Sequence, residues 1–172
     1  MPVYFFTFHA YRSWSEDDPR GYIQRGTPGI QKSNPKLAAH RDSSAGDPPV
    51  RFSEHQQHVL LDAMKDICGR RKWVLYAASV APTHIHCLLS WIDESPVEPK
   101  RDRLKSLLGK ALSDDVGTTG NRWFSRGQHM ERVTNEKHLE ELIVRYVPKH
   151  GLEGGLVYQK IWGNRKDDEH NE

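Results

Sequence analysis

Several features that define common protein classes are scarce in this chain of 172 residues. Only two cysteines are present, Cys68 and Cys87, and both fall in apolar patterns. This predicts buried free thiols in a reducing compartment rather than a disulfide. The sequence has no apolar run of membrane-spanning length and no secretory signal, so we expect a cytoplasmic protein with no membrane partner.

Motifs that mark several enzyme classes are also missing. The sequence contains no Walker loop, no GxGxxG fingerprint, no HExxH motif and no nucleophile elbow. Cys-x-x-Cys and Cys-His finger spacings are absent as well. A formal net charge of only +2 gives weak support for nucleic-acid binding, which would therefore depend on local clusters of positive charge.

The length is that of one domain with a sizeable core. We predict a single domain over 1–163 and a polar tail over 164–172. The domain is interrupted by an insertion at about 15–50 that is rich in Gly, Pro, Asp, Ser and Asn, and we expect this insertion to be irregular.

The order of hydrophobic patterns predicts an α+β fold. Strand patterns cover 3–14, 73–80, 84–91 and 122–133, and helical patterns cover 53–69, 95–114 and a last helix from Asn135. Ser53 and Gln56 fit a capping box, and Gly69 is expected to end that helix. This βαββαβ order is typical of a ferredoxin-like antiparallel sheet with helices on one face, here followed by a C-terminal helix.

Two histidines in the third predicted strand are candidate metal ligands. Side chains alternate along a strand, so His84 and His86 share one face while Ile85 and Cys87 take the other. Two imidazoles side by side on a rigid strand suit a divalent metal. Two half-exposed histidines without a ligand are the alternative interpretation.

The last predicted helix carries a tyrosine and a third histidine. Its apolar stripe consists of Leu139, Leu142, Ile143 and Tyr146. Tyr146 is either a core aromatic or, with His150 four residues further on, a nucleophile beside a metal. Pro148 lacks an N–H group, so we expect the helix to kink or end there. His150 is then either a third ligand or a surface histidine.

These motifs together resemble a known family. Pro82-Thr83-His84-Ile85-His86 resembles the His-hydrophobic-His motif of the HUH endonucleases, and Tyr146 with His150 resembles the tyrosine helix of their single-tyrosine transposases, which include the REP-associated tyrosine transposases. Residues 4–8 resemble the first strand of these transposases. Residues 123–127 resemble the segment before their tyrosine helix, and residues 151–157 resemble the run of small residues after it. The resemblance extends from about Val3 to Val157.

The resemblance implies a ferredoxin-like nuclease that cleaves single-stranded or hairpin DNA. Tyr146 would be the nucleophile that forms a 5′-phosphotyrosine, and His84, His86 and His150 would hold a divalent metal, Mn²⁺ or Mg²⁺. Relatives commonly have Gln or Asn where this chain has His150. An imidazole at that position favours manganese over magnesium, and three imidazoles also suit zinc.

Basic and aromatic residues supply candidate DNA contacts. One group is expected to surround the tyrosine and histidine elements and consists of Arg122, Trp123, Arg126, Arg132, Arg145 and Lys149. A second group on the helix predicted over 95–114 consists of Arg101, Arg103 and Lys105. Such charges would make DNA binding dependent on salt, and Trp123 offers a face for base stacking. A merely solvated helix face is the alternative for the second group.

Three functions follow from these patterns. The leading one is a metal-dependent DNA endonuclease and strand transferase of the transposase type. The second is a domesticated relative that binds a DNA hairpin without cutting it, and the third is a metal hydrolase of another class. Some relatives exchange the tyrosine helix between subunits, so both a monomer and a homodimer are compatible with the sequence.

Overall fold

The computed structural model describes residues 1–19, 21–24 and 26–160, and the tail predicted over 164–172 lies outside these residues. The strands are β1 (Val3–Ala10), β2 (Tyr22–Ile23), β3 (Ile30–Gln31), β4 (Val74–Val80), β5 (His84–Ser90), β6 (Phe124–Val133) and β7 (Leu156–Gln159). The α-helices are α1 (Pro35–Ser44), α2 (Glu54–Arg71), α3 (Val97–Asp115), α4 (Glu136–Glu141) and α5 (Val147–Lys149). A π-helical turn (Leu142–Tyr146) joins α4 to α5, and a 3₁₀ turn (His150–Glu153) follows. We call 136–153 the tyrosine segment.

Five strands form one antiparallel sheet in the order β6-β1-β5-β4-β7. The first four of these strands, with α2 and α3 as the two crossover helices, give the predicted ferredoxin-like arrangement. Strand β5 lies between β1 and β4, so its backbone is paired on both sides. The α+β prediction is therefore confirmed, and the histidine-bearing strand occupies the rigid centre of the sheet.

Helices α2 and α3 pack on one side of the sheet, which we call the helix face. Ile85, Cys87 and Leu89 of β5 are fully buried in this core. The predicted capping box begins α2: the Gln56 N–H donates to Ser53 Oγ at 3.2 Å, and the Ser53 N–H donates to Gln56 Oε1 at 3.0 Å. Both cysteines are buried free thiols, as predicted.

The opposite side of the sheet, which we call the histidine face, is partly covered by the tyrosine segment. Leu142, Ile143 and Val147 of that segment pack with Phe5 and Leu88 in a smaller apolar cluster. The helices therefore do not all lie on one face, because the C-terminal helical segment folds back over the side that carries His84 and His86.

Within the described ranges, no helix is both long and apolar enough to cross a lipid bilayer.

The segment 15–50 differs from its predicted irregular structure, because it contains a short β2–β3 hairpin and helix α1. The N-cap Asn34 accepts a hydrogen bond from the Leu37 N–H at 3.0 Å, and Pro35 occupies the first turn. Only Ala38 of α1 is buried, so no apolar stripe marks this helix. In the sequence, helix α1 is indicated by its N-terminal capping residues Asn34 and Pro35 and not by hydrophobic periodicity.

One helix boundary and one strand also differ from the prediction. Helix α2 ends at Arg71 rather than at Gly69, since Lys72 takes the left-handed conformation with φ of 56°. The Trp73 N–H donates to the Cys68 carbonyl at 2.9 Å, which closes a Schellman-type turn. Strand β7 was not predicted as a strand, and it exists because its residues pair with β4 at the sheet edge.

Candidate active site

The three candidate histidines meet on the histidine face. One ligand atom from each of His84, His86 and His150 lies within 4.8 Å of the other two. The ring centroids are 4.8 Å apart for His84 and His86, and 4.4 Å apart for His86 and His150. The His150 Nδ1 atom lies 3.2 Å from His84 Nε2. The structure thus brings together residues from β5 and from the tyrosine segment.

Hydroxyl groups orient the two β5 histidines. The Nδ1 atom of His86 lies 2.8 Å from Thr7 Oγ1 on β1, and this contact is buried. The Nδ1 atom of His84 lies 3.0 Å from Thr83 Oγ1. Because Nδ1 is engaged in both rings, Nε2 is the atom that each ring can offer to a ligand.

His150 is held from the other side by a carboxylate. Its Nδ1 atom lies 3.0 Å from Glu153 Oε2 one turn further along. Its Nε2 atom is buried and has no hydrogen-bond partner within the described part of the chain. Ser79 Oγ is the other buried side-chain atom without a partner there, and Ser79 pairs with His86, so it lies on the same face.

A divalent metal ion fits this arrangement. Tetrahedral metal–imidazole bonds of about 2.1 Å place neighbouring ligand atoms roughly 3.4 Å apart, so the cluster must contract from its present spread of up to 4.8 Å to hold one ion. The unpartnered Nε2 atom of His150 would gain a partner. Burial first, and then the neighbouring His84 and His150, lower the pKa of His86 to about 2, so His86 is neutral and competent to bind a metal.

Tyr146 stands at the edge of this cluster. Its ring centroid lies 5.3 Å from that of His86, 5.4 Å from that of His150 and 5.6 Å from that of Phe5. The residue is 41% exposed, so it is not the core aromatic that the stripe allowed. Burial, followed by the Glu153 carboxylate, raises the pKa of Tyr146, which keeps its phenol protonated at neutral pH.

A change of helix type keeps Tyr146 and His150 together across Pro148. The turn Leu142–Tyr146 is π-helical, and the Val147 N–H donates to the Leu142 carbonyl. The wider turn tolerates a proline that has no N–H and that would crowd the carbonyl of Val144 in an α-helix. Of the two outcomes expected at Pro148, an end of the helix is not observed, because the chain stays helical to Glu153 and instead changes from π- to α- to 3₁₀-helix around this residue.

The first group of candidate DNA contacts does not lie entirely around the histidines. Arg145 and Lys149 are exposed on the tyrosine segment beside Tyr146. Arg132 pairs with Tyr4, whose side chain packs in the core of the helix face. Directly paired residues point to the same side of a sheet, so Arg132 lies on the helix face and its predicted place beside the histidines is wrong.

The remaining candidate contacts lie along α3 and at the start of β6. Arg122, Trp123, Lys105 and Arg126 line one open cavity of about 720 Å³. The Trp123 indole is half-buried and donates to Ser113 Oγ at 2.8 Å. The other two members of the second group, Arg101 and Arg103, lie near the beginning of α3. All of α3 is separated from the histidines by the sheet.

Three polar residues of the site were not found from the sequence. Thr7 and Ser79 flank His86 on the neighbouring strands, and Glu153 contacts His150. Alternation places Thr7 on one of the two faces of β1, but only the strand register reveals that this is the face of His86. Glu153 follows His150 by three residues, which is the local spacing that could have indicated a carboxylate–histidine pair.

The similar solved structures include the two that follow, while no protein-family model and no curated protein matches the chain. The structure of a REP-associated tyrosine transposase bound to a REP hairpin has 13% identity over 89% of this chain and 68% of the other, with a TM-score of 0.49. The crystal structure of a "putative transposase" from Deinococcus radiodurans R1 has 14% identity over 86% and 89%, with a TM-score of 0.44.

Proposed function

We propose that this protein is a metal-dependent, single-tyrosine endonuclease and strand transferase that acts on single-stranded or hairpin DNA. The observation that carries the proposal is the cluster of three histidine ligand atoms within 4.8 Å of one another beside the half-exposed Tyr146. A tyrosine next to a metal site supplies the two groups that phosphodiester transfer requires, a nucleophile and a cation.

Tyr146 is the proposed nucleophile. Its phenolic oxygen bonds to phosphorus while the bond from phosphorus to the 3′ oxygen breaks, which leaves a 5′-phosphotyrosine and a free 3′ hydroxyl. Because burial and the Glu153 carboxylate raise the pKa of Tyr146, the phenol loses its proton during attack rather than before it. The exposed side of the ring lets water accept that proton, and the 3′ oxygen gains one. Attack by another 3′ hydroxyl reverses the step and joins strands without ATP.

The histidines are the proposed metal ligands, with Nε2 as the binding atom of each. A bound divalent cation supplies positive charge that polarises the scissile phosphate and stabilises the departing 3′ oxygen. Thr7 and Thr83 hold the two rings of β5 in the required orientation, and Glu153 does the same for His150. Three nitrogen ligands favour manganese over magnesium, which prefers oxygen, and zinc is the competing ion.

Arg145 and Lys149 are the proposed phosphate contacts nearest the reacting atoms. Both are exposed on the segment that carries Tyr146, so they can reach a strand that crosses the histidine face. Arg122 and Arg126 lie near the end of the sheet at which β5 begins, because Phe124 pairs with Ala10 and the Ala10 N–H donates to the Thr83 carbonyl. The hairpin form of the substrate follows from the sequence resemblance.

The proposal is tested by covalent trapping on DNA. Labelled single-stranded hairpin DNA from a broad library is incubated with the protein and Mn²⁺, Mg²⁺ or Zn²⁺, and the products are separated on a denaturing protein gel. We expect a labelled band at the mass of protein plus DNA, strongest with Mn²⁺ and absent with a chelator. Tyr146→Phe should abolish the band without weakening DNA binding, whereas the matched control Tyr158→Phe should retain it.

A non-cleaving DNA hairpin-binding protein is the second candidate. The histidine at position 150 favours it, because the active relatives that the sequence resembles commonly have Gln or Asn there. Salt-sensitive hairpin binding with no covalent band in any metal would support this candidate and contradict the nuclease. Cleavage that survives Tyr146→Phe would instead indicate a metal hydrolase of another class.

A further inference from the structure

A second basic cavity lies far from the histidines. This open cavity of about 940 Å³, which we call the distal cleft, lies on the helix face between the end of α2 and the beginning of α3. Four cationic side chains line it, namely Arg70, Arg71, Lys100 and Arg103, and Asp93 is the acidic residue among its lining. The fold thus joins two basic clusters that are well separated along the chain.

Two of these cations are not neutralised by carboxylates. Arg70 pairs with Asp66 at 2.6 Å, and Lys100 pairs with Asp93 at 2.5 Å. In the part of the chain that the structure describes, Arg71 and Arg103 form no ion pair. The cleft therefore carries an excess of positive charge that an anionic ligand could neutralise.

An aromatic wall accompanies the charges. Trp73 is half-buried and lines the cleft, and the Arg71 guanidinium lies 5.5 Å from its ring centroid. Trp91 lies behind it at 5.9 Å between centroids, and Lys100 Nζ lies 5.1 Å from the Trp91 ring. Cations interleaved with indole faces are the combination by which single-stranded nucleic acids are bound, through phosphate contacts and base stacking.

The distal cleft is separate from the candidate active site. Trp73 precedes β4, whose first residue Val74 pairs with Ser90 at the end of β5, whereas His84 begins β5. A strand of seven residues spans roughly 20 Å at about 3.3 Å per residue, so the two sites lie at opposite ends of the sheet.

We infer that the distal cleft is a second nucleic-acid-binding site, in which Arg71 and Arg103 contact the phosphates of a single strand and Trp73 stacks on a base. Cations distributed along a cleft suit a polyanion better than a single small anion. The identity of that polyanion rests on the proposed DNA substrate, of which the cleft would bind a single-stranded stretch away from the cleaved phosphate.

The test measures binding of a labelled single-stranded oligonucleotide by fluorescence anisotropy at several salt concentrations, in the presence of a chelator so that no cleavage occurs. We compare the full chain with Arg71→Gln/Arg103→Gln and with Lys36→Gln/Lys137→Gln, a control that removes the same charge elsewhere. If both arginines contact phosphates, the slope of log K against log salt should fall by about 1.4 in the cleft variant alone. Trp73→Leu should weaken binding with the slope unchanged, and thermal unfolding verifies that each variant is folded.

The outcomes separate this inference from the proposed nuclease. Equal slopes for the wild type and the cleft variant overturn the inference, and so does an equal loss in the lysine control. A Tyr146-dependent covalent band together with unchanged slopes would support the proposed nuclease and contradict nucleic-acid binding at the distal cleft. A reduced slope in the cleft variant with no covalent band supports the cleft and contradicts the nuclease.

Discussion

The helix face and the histidine face of the sheet bury their side chains in different ways. On the helix face, Ile85, Leu104 and Leu108 have no exposed surface, and they pack against other apolar side chains. On the histidine face, His86 and His150 are buried among hydroxyl and carboxylate groups, and His150 Nε2 has no partner in the described part of the protein. An apolar core stabilises the fold, whereas buried polar atoms lower its stability unless a ligand satisfies them.

The tyrosine segment shows the same contrast with α2. Helix α2 is regular over 18 residues and is capped at both ends. The tyrosine segment changes from α- to π- and then to 3₁₀-helix within 136–153. Such irregular turns are found at functional sites, where the position of a side chain matters more than helix stability. The comparison predicts that substitutions on the helix face change the free energy of unfolding, whereas substitutions on the histidine face change the affinity for a metal ion.

The largest effect on stability is expected from Leu108→Ala on the helix face. Leu108 is fully buried, so the cavity and the lost apolar contacts should lower the free energy of unfolding by about 3 kcal/mol. Urea denaturation measures this change, and isothermal titration calorimetry should give an unchanged Kd for Mn²⁺. Val144→Ala on the exposed side of the tyrosine segment is the control and should change stability by less than about 0.5 kcal/mol.

The next effect is expected from Thr7→Val, which removes the hydroxyl beside His86 Nδ1 but keeps the shape of the side chain. Loss of a group that orients a metal ligand typically costs about 10- to 100-fold in metal affinity, so the Mn²⁺ affinity should fall within this range. Calorimetric titration measures it, and Thr7→Ser should retain most of the affinity. A weaker effect of Thr7→Val than of Leu108→Ala on the Kd would remove the distinction between the two faces.

The same two faces differ in how far the sequence predicts them. Local patterns were sufficient for the elements of the helix face, where the Ser53 cap, the helices predicted over 53–69 and 95–114 and the strands predicted over 73–80 and 84–91 are all present. Alternation also placed His84 and His86 on the face opposite the core, since the period of a strand is fixed by backbone geometry.

Tertiary contacts determine the features that were missed. Thr7 reaches His86 through the register of β1 on β5, and β7 becomes a strand by pairing with β4. The π-helical turn before Pro148 reflects the packing of Leu142 and Val147 on the sheet, which holds the segment helical where proline alone would interrupt it. None of these features leaves a periodic signal in the sequence.

The smallest effect is expected from Ser53→Ala, which removes the capping box of α2. The Gln56 N–H would lose its acceptor, so the free energy of unfolding should fall by about 1 kcal/mol. Ser53→Asp keeps an acceptor and should restore most of that stability in urea denaturation. Because the sheet lies between α2 and the histidines, the Kd for Mn²⁺ should stay at the wild-type value. A change of more than about threefold, or roughly 0.7 kcal/mol, would mean that the stability of the helix face also sets the geometry of the histidines.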